Sequence, residues 1–590
     1  MNRLAFRWFG WLLCFVITVV LCERSYAIVR AEPLGPIEWM KIGATSNAPS
    51  ESAEMSLSSP ETSNPAPNRS YGATPPASAQ TSLPRVQFLP LLTNFSSSGT
   101  ANPAPNCRYG ATADAALRNW LAPLGAGWSL DFSARAPKPL PGVEFVPVLR
   151  VHQKKNGCTY LNDYSVTPPL TDSGLGALIA SQPGALWLVG NEPDRGPNPE
   201  NCADRNQDDT YPEIYAQAYH DTYQFIKSRD ATARVAIAGL VEATPGRLQY
   251  LEKVWQTYQQ RYQTTIPVDV WNMHLYILPE AGPDGTPNGV ANVALGTDPA
   301  LAIRESGDKK ERCADPGVYC WAEHDDLTAF AQQVVAMRTW MQQHGERDKP
   351  LIVSEYGQLY PFTGYDDPVN PTRCFLMDEY GKCFTQARIT SFLNRTFAYL
   401  ESATDANLGY PLDGNRLVQQ WMWYSVYTQG LGYDSNLVTS DLRAFTQPGM
   451  AFRNAVASVP TYVNLVPRNA VGTAGRMPIP ARPITATLYV DIINSGNVQS
   501  PAPFTVTAYE DQALTRPIGS VKVTLGINGC FQRTTRVSIT WPDLSVGPHS
   551  FWFKVDSTDA VSESAENDNV IMGKVTVYPY GVLLPWVMGR

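Results

Sequence analysis

Two glutamates stand where a carboxylate can do chemistry. Glu192 lies in Val189-Gly190-Asn191-Glu192-Pro193-Asp194, and Glu355 lies in Val353-Ser354-Glu355-Tyr356-Gly357. Each string follows a short apolar run that reads as a buried strand, Ala185-Leu186-Trp187-Leu188 before the first and Pro350-Leu351-Ile352 before the second. Each run therefore delivers a carboxylate to the carboxyl end of a strand, where parallel α/β barrels keep their catalytic groups. Two carboxylates brought together there meet the requirement of glycoside hydrolysis, one as acid and the other as nucleophile or base. Pro193 forces a non-helical exit for Glu192, and the amide of Asn191 can donate to a sugar hydroxyl. Taken singly, each glutamate reads as a capping or ion-paired loop acid. Their joint placement, after the fourth and seventh strands, favours the chemical reading.

Other side chains fit the same place. Trp271-Asn-Met-His274-Leu-Tyr276 ends the sixth strand, and alternation puts His274 and Tyr276 on one face. The tyrosine there can hydrogen-bond a nucleophile and the histidine can contact substrate. Trp421 and Trp423 share a face of the last strand, one as the expected floor of a sugar subsite and the other as core. Six His are scattered, and no HExxH, GxSxG or P-loop occurs. We therefore expect neither a metal nor another cofactor. The acidic run from Glu563 to Asn569 reads as a solvated hairpin turn rather than a calcium loop.

The elements that must position these residues alternate. Strands are expected at 128–132, 143–149, 185–190, 234–240, 268–276, 351–356 and 418–425, with helices at 113–121, 212–228, 247–262, 327–344 and 385–401. An eighth strand near 108–112, or within the apolar island 86–92, would come first and close a (β/α)8 barrel. The competing doubly wound sheet would carry a Gly-rich phosphate turn after its first strand, which is missing. After a Pro-rich linker, 461–482, runs of period two from 483 to 579 read as an antiparallel β-sandwich of the immunoglobulin-like type. The expected organisation is a signal segment 1–27, a Pro/Ser-rich linker 28–106, a catalytic domain 107–460, that second linker, the sandwich and a tail 580–590.

Composition sets outer limits. A chain of 590 residues needs two or three domains, and a formal charge of −8 argues against nucleic acid as partner. Arg3 and Arg7 precede an uncharged apolar stretch, Trp8 to Cys22, followed by small residues. That is the pattern of a secretory signal cleaved after Ala27 or Ala31, with an uncleaved anchor as the alternative. Eight cysteines then remain, and an even number in an exported chain points to disulfides. Cys313/Cys320 and Cys374/Cys383 are close enough to form local loops. Cys158 and Cys202 each follow a predicted strand and could join neighbouring loops, while Cys530 stands apart and reads as free.

Asn-Glu after strand four, His-x-Tyr on strand six, Ser-Glu-Tyr-Gly after strand seven and Trp on strand eight resemble the clan of retaining (β/α)8 glycoside hydrolases. Within it, Gly127-Trp-Ser-Leu-Asp-Phe132 and Val143-Glu-Phe-Val-Pro-Val-Leu149 look most like the glycosyl hydrolase catalytic core group related to the family 128 endo-β-1,3-glucanases. The resemblance covers roughly residues 107 to 430. It implies Glu192 as acid/base, Glu355 as nucleophile and Trp423 as the strand-eight aromatic. Asp131-Phe132, where that group tends to have Asn-Trp, and the long loop from Ile277 to His324 depart from it. The C-terminal part, with Asn494-Ser-Gly and the run 561–569, resembles a CARDB-type module of bacterial surface proteins. Together these imply a secreted or cell-surface O-glycosidase with a carbohydrate substrate and cell-surface association through the C-terminal module. The rival expectation is a glycan-binding or adhesion protein that keeps a glycosidase scaffold without catalysis.

Overall fold

The computed structural model describes residues 102–196, 207–288, 290–307, 310–313, 315–359, 376–428, 435–475, 482–531 and 533–579. The expected signal segment, nearly all of the first linker with its apolar island, the tail, Cys202 and Cys374 lie outside the described residues.

Apolar runs form strands throughout the first part: β1 Asn106–Ala111, β2 Ala126–Ser129, β3 Glu144–Phe145, β4 Val148–Asn156, β5 Thr159–Thr167, β6 Leu186–Asn191, β7 Arg234–Gly239, β8 Trp271–His274, β11 Leu351–Tyr356 and β12 Gln420–Trp423. The short pair β9 Arg304–Glu305 and β10 Val318–Tyr319 lies in the loop after β8. The helices are α1 Leu121–Leu124, α2 Ala177–Ser181, α3 Pro212–Arg229, α4 Pro245–Tyr262, α5 Leu327–Gln343, α6 Gln386–Ser402 and α7 Gln447–Ser458. Proline opens α3 and α4, where its missing N–H is no loss. Asp326 and Thr385 cap α5 and α6 by accepting from Thr328 and Arg388 N–H.

One parallel sheet runs β3-β2-β1-β12-β11-β8, and β4, β6 and β7 pair in parallel in a second. The two meet at both ends. Val146 N–H donates to Ser129 O at 2.9 Å and Leu188 N–H to Pro147 O at 3.0 Å, while Ala236 bridges Val270 in parallel. The sheet is thus curled, with its inner face filled by Trp128, Leu186, Leu188, Ile352 and Met422. The outer face, with Trp187, Val189 and Val353, packs on helix residues such as Phe392. Burial on both faces explains why these strands read as continuous apolar runs. The expected helix 113–121 shrinks to a 3-10 turn at Arg118–Trp120 and the one-turn α1, which ends at left-handed Gly125. The β4–β5 hairpin and α7 have no counterpart in the expected elements.

The second part is all β: β13 Leu465–Ala474, β14 Ile484–Asn494, β15 Phe504–Tyr509, β16 Pro517–Val523, β17 Thr535–Leu544, β18 Gly547–Lys554 and β19 Val570–Val577. β13 lies inside the stretch expected as a linker, 461–482. Pro467 and Gly472 disguise it, yet it pairs along β14 and buries Leu465 and Val466. Instead of two separate sheets, one hydrogen-bonded order β16-β15-β18-β19-β13-β14-β17 encloses Leu488, Phe504, Phe551 and Phe553. Its edge strands β16 and β17 pack together, and β13–β19 is a parallel pair.

The two parts meet at the amino ends of the curled sheet. Cys530, expected to be free, is bonded to Cys107 across 423 residues of sequence. Beside it, Cys107 N–H donates to Asn497 O at 3.0 Å, Arg108 Nη2 donates to the Tyr462 hydroxyl at 2.7 Å, and Arg234 Nη1 donates to Phe531 O at 2.6 Å. Among the described residues, no helix is long and apolar enough to cross a membrane.

Candidate active site

The sheet's carboxyl ends bring Glu192, His274, Tyr276 and Glu355 together by three local devices. Glu192 sits just past β6 with φ 47°, a left-handed conformation uncommon outside glycine, and its N–H donates to Gly239 O at 3.0 Å. Alternation along β8 points Asn272 and His274 inward. His274 lies flat over Gly239, where an added Cβ would come within 2.2 Å of the imidazole Cδ2, so only glycine leaves room for the ring. Glu355 needs a bulge. Alternation from inward Ile352 would turn Glu355 toward the helices, but the β8–β11 register slips between Val353 and Glu355, and Glu355 lies opposite His274. One extra residue, Ser354, thereby re-aims the carboxylate into the site.

The contacts are close. His274 Nδ1 is 3.0 Å from Glu192 Oε1 and 3.7 Å from Glu355 Oε2. The Tyr276 hydroxyl donates to Glu355 Oε1 at 2.5 Å. One oxygen of each glutamate and a ring nitrogen of His274 all lie within 4.8 Å of one another. Such a donor set could also ligate a divalent cation; here the imidazole is engaged in hydrogen bonding.

Burial dominates the electrostatics. It pushes Glu355 up to about 7, helped by the charge of Glu192 and opposed by His274 and by the Tyr276 hydrogen bond. Burial acts on Glu192 in the same sense, but the hydrogen bond and charge of His274, with Arg195 and Arg247, hold it below the usual carboxylate range. His274 is pulled down by burial, yet Glu355 and Glu192 leave it raised overall. The close carboxylates influence each other's titration, and burial first, then the charge of Glu192, keeps a proton on Glu355 up to about pH 7.

Asn191 is clamped by its backbone: its N–H donates to Asp208 Oδ2 at 2.7 Å and its carbonyl accepts from Asp208 N–H at 2.9 Å. Trp421 and Trp423, one of them the expected floor of a sugar subsite, are both fully buried on the opposite side of β12. Trp421 meets Tyr109 edge-on, and Trp423 meets Tyr356 and Phe392 while its indole N–H donates to Ser435 O. Period two explains the correction, since Met422 faces inward and the tryptophans flanking it face outward. The half-buried aromatic near the carboxylates is Tyr424. Its hydroxyl is raised by burial and by the charges of Glu355 and Glu192, and its ring lies 6.3 Å from Phe132.

Arg247, at the start of α4, is another residue that motif reading misses. It is fully buried, ion-paired with Asp194 and with Glu280 at 3.0 Å, and donates to Ala291 O and Asn292 O. One guanidinium therefore ties the turn carrying Glu192 to the long loop after β8. Glu242 joins this cluster, where burial and then Glu280 raise its carboxyl far above the usual range.

Cys313 and Cys320 form the expected local disulfide in that loop. Cys158 and Cys383 are also disulfide-bonded; Cys374, the expected partner of Cys383, and Cys202 lie outside the described residues.

Residues 478–572 match the CARDB family, and the C-terminal part is a CARDB domain. Among curated proteins, none matches the chain. Among solved structures, the chain is similar to a GH128 (subgroup I) endo-β-1,3-glucanase from Amycolatopsis mediterranei in complex with laminarihexaose, at 15% identity over 59% of this chain and 98% of that one, TM-score 0.34. It is also similar to a GH128 (subgroup III) curdlan-specific exo-β-1,3-glucanase from Blastomyces gilchristii, at 15% identity over 59% and 97%, TM-score 0.32. The CARDB domain of a Pyrococcus furiosus protein is similar at 19% identity over 21% of this chain and 100% of that one, TM-score 0.17.

Proposed function

We propose that the α/β domain is a (β/α)8 barrel and that the chain is a secreted retaining O-glycosidase acting on polysaccharide. The observation that carries the reading is the carboxylate pair. Oxygens of Glu192 and Glu355 lie within 4.8 Å, on the short side of the roughly 5–5.5 Å of retaining enzymes and well below the roughly 6.5–9.5 Å that leaves room for an inverting water. The closed circuit of parallel pairings supports the barrel. Six described cysteines, Cys107, Cys158, Cys313, Cys320, Cys383 and Cys530, are disulfide-bonded, which supports an oxidising compartment.

In this reading Glu355 attacks the anomeric carbon while Glu192 protonates the departing glycosidic oxygen. Water then attacks the glycosyl-enzyme, giving its proton back to Glu192 and releasing Glu355. Tyr276 holds the charge of Glu355 and leaves its second oxygen for the sugar. Productive catalysis needs the pair's proton on Glu192, whereas the surrounding burial and charges raise Glu355 and lower Glu192. His274 Nδ1 hydrogen-bonds Glu192 at 3.0 Å and lies 3.7 Å from Glu355, so its charge acts on both carboxylates. Tyr424 and Phe132 are the aromatic surfaces nearest the reacting sugar, and Asn191 contributes a polar contact.

Digestion of a glycan panel tests the activity. With an active glycan in hand, Glu355→Ala should abolish turnover and retain affinity, because the nucleophile acts in the transition state. Azide should then restore turnover and give a glycosyl azide of inverted configuration. Glu192→Ala should slow poor leaving groups far more than activated aryl ones. Azide rescue at Glu192 in place of Glu355 would reverse the two roles. Binding of glycans with no hydrolysis sensitive to either residue would leave the adhesion reading standing.

A further inference from the structure

The CARDB sheet presents an outer face that none of the preceding chemistry uses. Alternation points Phe551 and Phe553 of β18 into the core, and so turns Ser550, Trp552 and Lys554 outward. Cross-strand register then sets Tyr509 of β15, Trp552 of β18 and Met572 of β19 side by side. One row further, Lys574 pairs with Val471, and Val471 with Tyr489 of β14. Met572 and Val471 are each 49% exposed, and Tyr509, Trp552 and Tyr489 are half-buried. Tyr509, Trp552 and Met572 thus cover three neighbouring strands, β15, β18 and β19, and Val471 and Tyr489 follow where the sheet curls onward. Strands lie about 4.8 Å apart, close to the repeat of an extended pyranose chain, and ring faces of Tyr and Trp offer apolar surface at that interval.

Charge selects the occupant. Lys522, Lys554 and Lys574 occupy outward strand positions, Lys554 being paired with Asp559 at 3.0 Å. The carboxylate at such a position, Asp491, is already held by Arg536 through bonds of 2.7 and 2.9 Å. A cleft of about 670 Å³ between the domains is lined by Lys227, Arg234, Lys349, Arg468 and Arg536, but Lys227 is paired with Asp269, Lys349 with Glu346 and Arg536 with Asp491, so it adds little free charge to the face. On a chain of net charge −8, a locally basic aromatic surface is complementary to an anionic polymer.

We propose that this face binds an acidic polysaccharide, with Trp552 and Tyr509 stacking on sugar rings and Lys522 and Lys574 facing the acid groups. It rests on the glycosidase reading only in taking a glycan as the polymer. Affinity electrophoresis of the full chain against polygalacturonate, dextran sulfate, dextran and anionic phospholipid vesicles tests it. Retardation by the acidic polymers, weakened by salt and absent with dextran, is expected, and the two acidic arms tell carboxylate from sulfate recognition. Trp552→Ser and Tyr509→Ser should each weaken binding at least tenfold, and Lys574→Gln less, with unchanged unfolding temperatures. Trp552→Tyr should retain most of it. Binding should persist in Glu355→Ala, so failure of the catalytic reading is seen separately. Equal binding to dextran, binding to vesicles alone, no binding, or retardation indifferent to Trp552 and Tyr509 would each overturn the proposal.

Discussion

Removing the Tyr276 hydroxyl isolates one term of the proposed chemistry. In Tyr276→Phe the ring keeps its place among Val241, Leu278 and Ala291, and only the 2.5 Å bond to Glu355 Oε1 is lost. A hydrogen bond to a charged group contributes about 1.5–3 kcal/mol. At about 1.4 kcal/mol per tenfold change, kcat/KM should fall about 10- to 150-fold. The bond lowers Glu355, which burial holds at about 7, so its loss moves that carboxyl higher. The acidic limb of the pH–rate profile should then shift to higher pH, by about one to two units on the same energies. KM should change little, because the contact is to the nucleophile. Steady-state rates between pH 4 and 9 on a substrate from the glycan panel provide the assay. A loss under about threefold with an unmoved acidic limb would refute the assignment of Glu355 as the group Tyr276 activates.

Glu355→Gln should stabilise the protein at alkaline pH. A carboxyl raised from 4.5 to about 7 in the fold contributes full stability below its unfolded value and loses about 3 kcal/mol as pH climbs through its folded one; thermal unfolding should show the variant's gain at pH 8 and little difference at pH 4. Gly239→Ala should displace His274, the Cβ arriving within 2.2 Å of its ring; an activity loss of at least about tenfold in a protein with native circular dichroism is expected, and wild-type rates would count against the packing argument. Arg247→Met leaves Asp194 and Glu280 buried without their cation and should cost about 3–5 kcal/mol, measured by denaturant titration. Cys530→Ser opens the 423-residue link to Cys107 and should lower stability by about 2–5 kcal/mol, seen as a larger fall in unfolding temperature than that of a Cys313→Ser/Cys320→Ser control, whose cysteines are 7 residues apart.

The parts of this molecule legible in its sequence are those written in local pattern. Leu186-Trp187-Leu188-Val189 can be buried only on both faces of a sheet, and the acid that follows it must emerge at the strand's end. The period of two likewise puts His274 with Tyr276. What escaped depends on register, which no local run encodes. Ser354 looks like any strand residue, yet the slip there decides where Glu355 points. Similarly, the weight of two tryptophans on β12 draws attention away from Tyr424, because which parity faces inward is set by β1 and β11. Arg247 sits on a helix far from either motif, and its role appears only once the loops bearing Asp194 and Glu280 are folded over it. Cys530 finds its partner at the other end of the chain, beyond the reach of spacing rules. β13 is hidden by Pro467 and Gly472, whose composition says loop while their neighbours pair as strand.

The joint between the two domains also fixes a direction. Glu192 and Glu355 stand at the carboxyl ends of the sheet strands, whereas Cys107, Arg108 and Arg234, which grip the CARDB domain, stand at the amino ends. Whatever surface the CARDB domain holds therefore lies behind the catalytic mouth. If the proposed glycosidase is fastened through that domain, its carboxylates face away from the support, and the chains within its reach are those of the next layer, not those on which it stands.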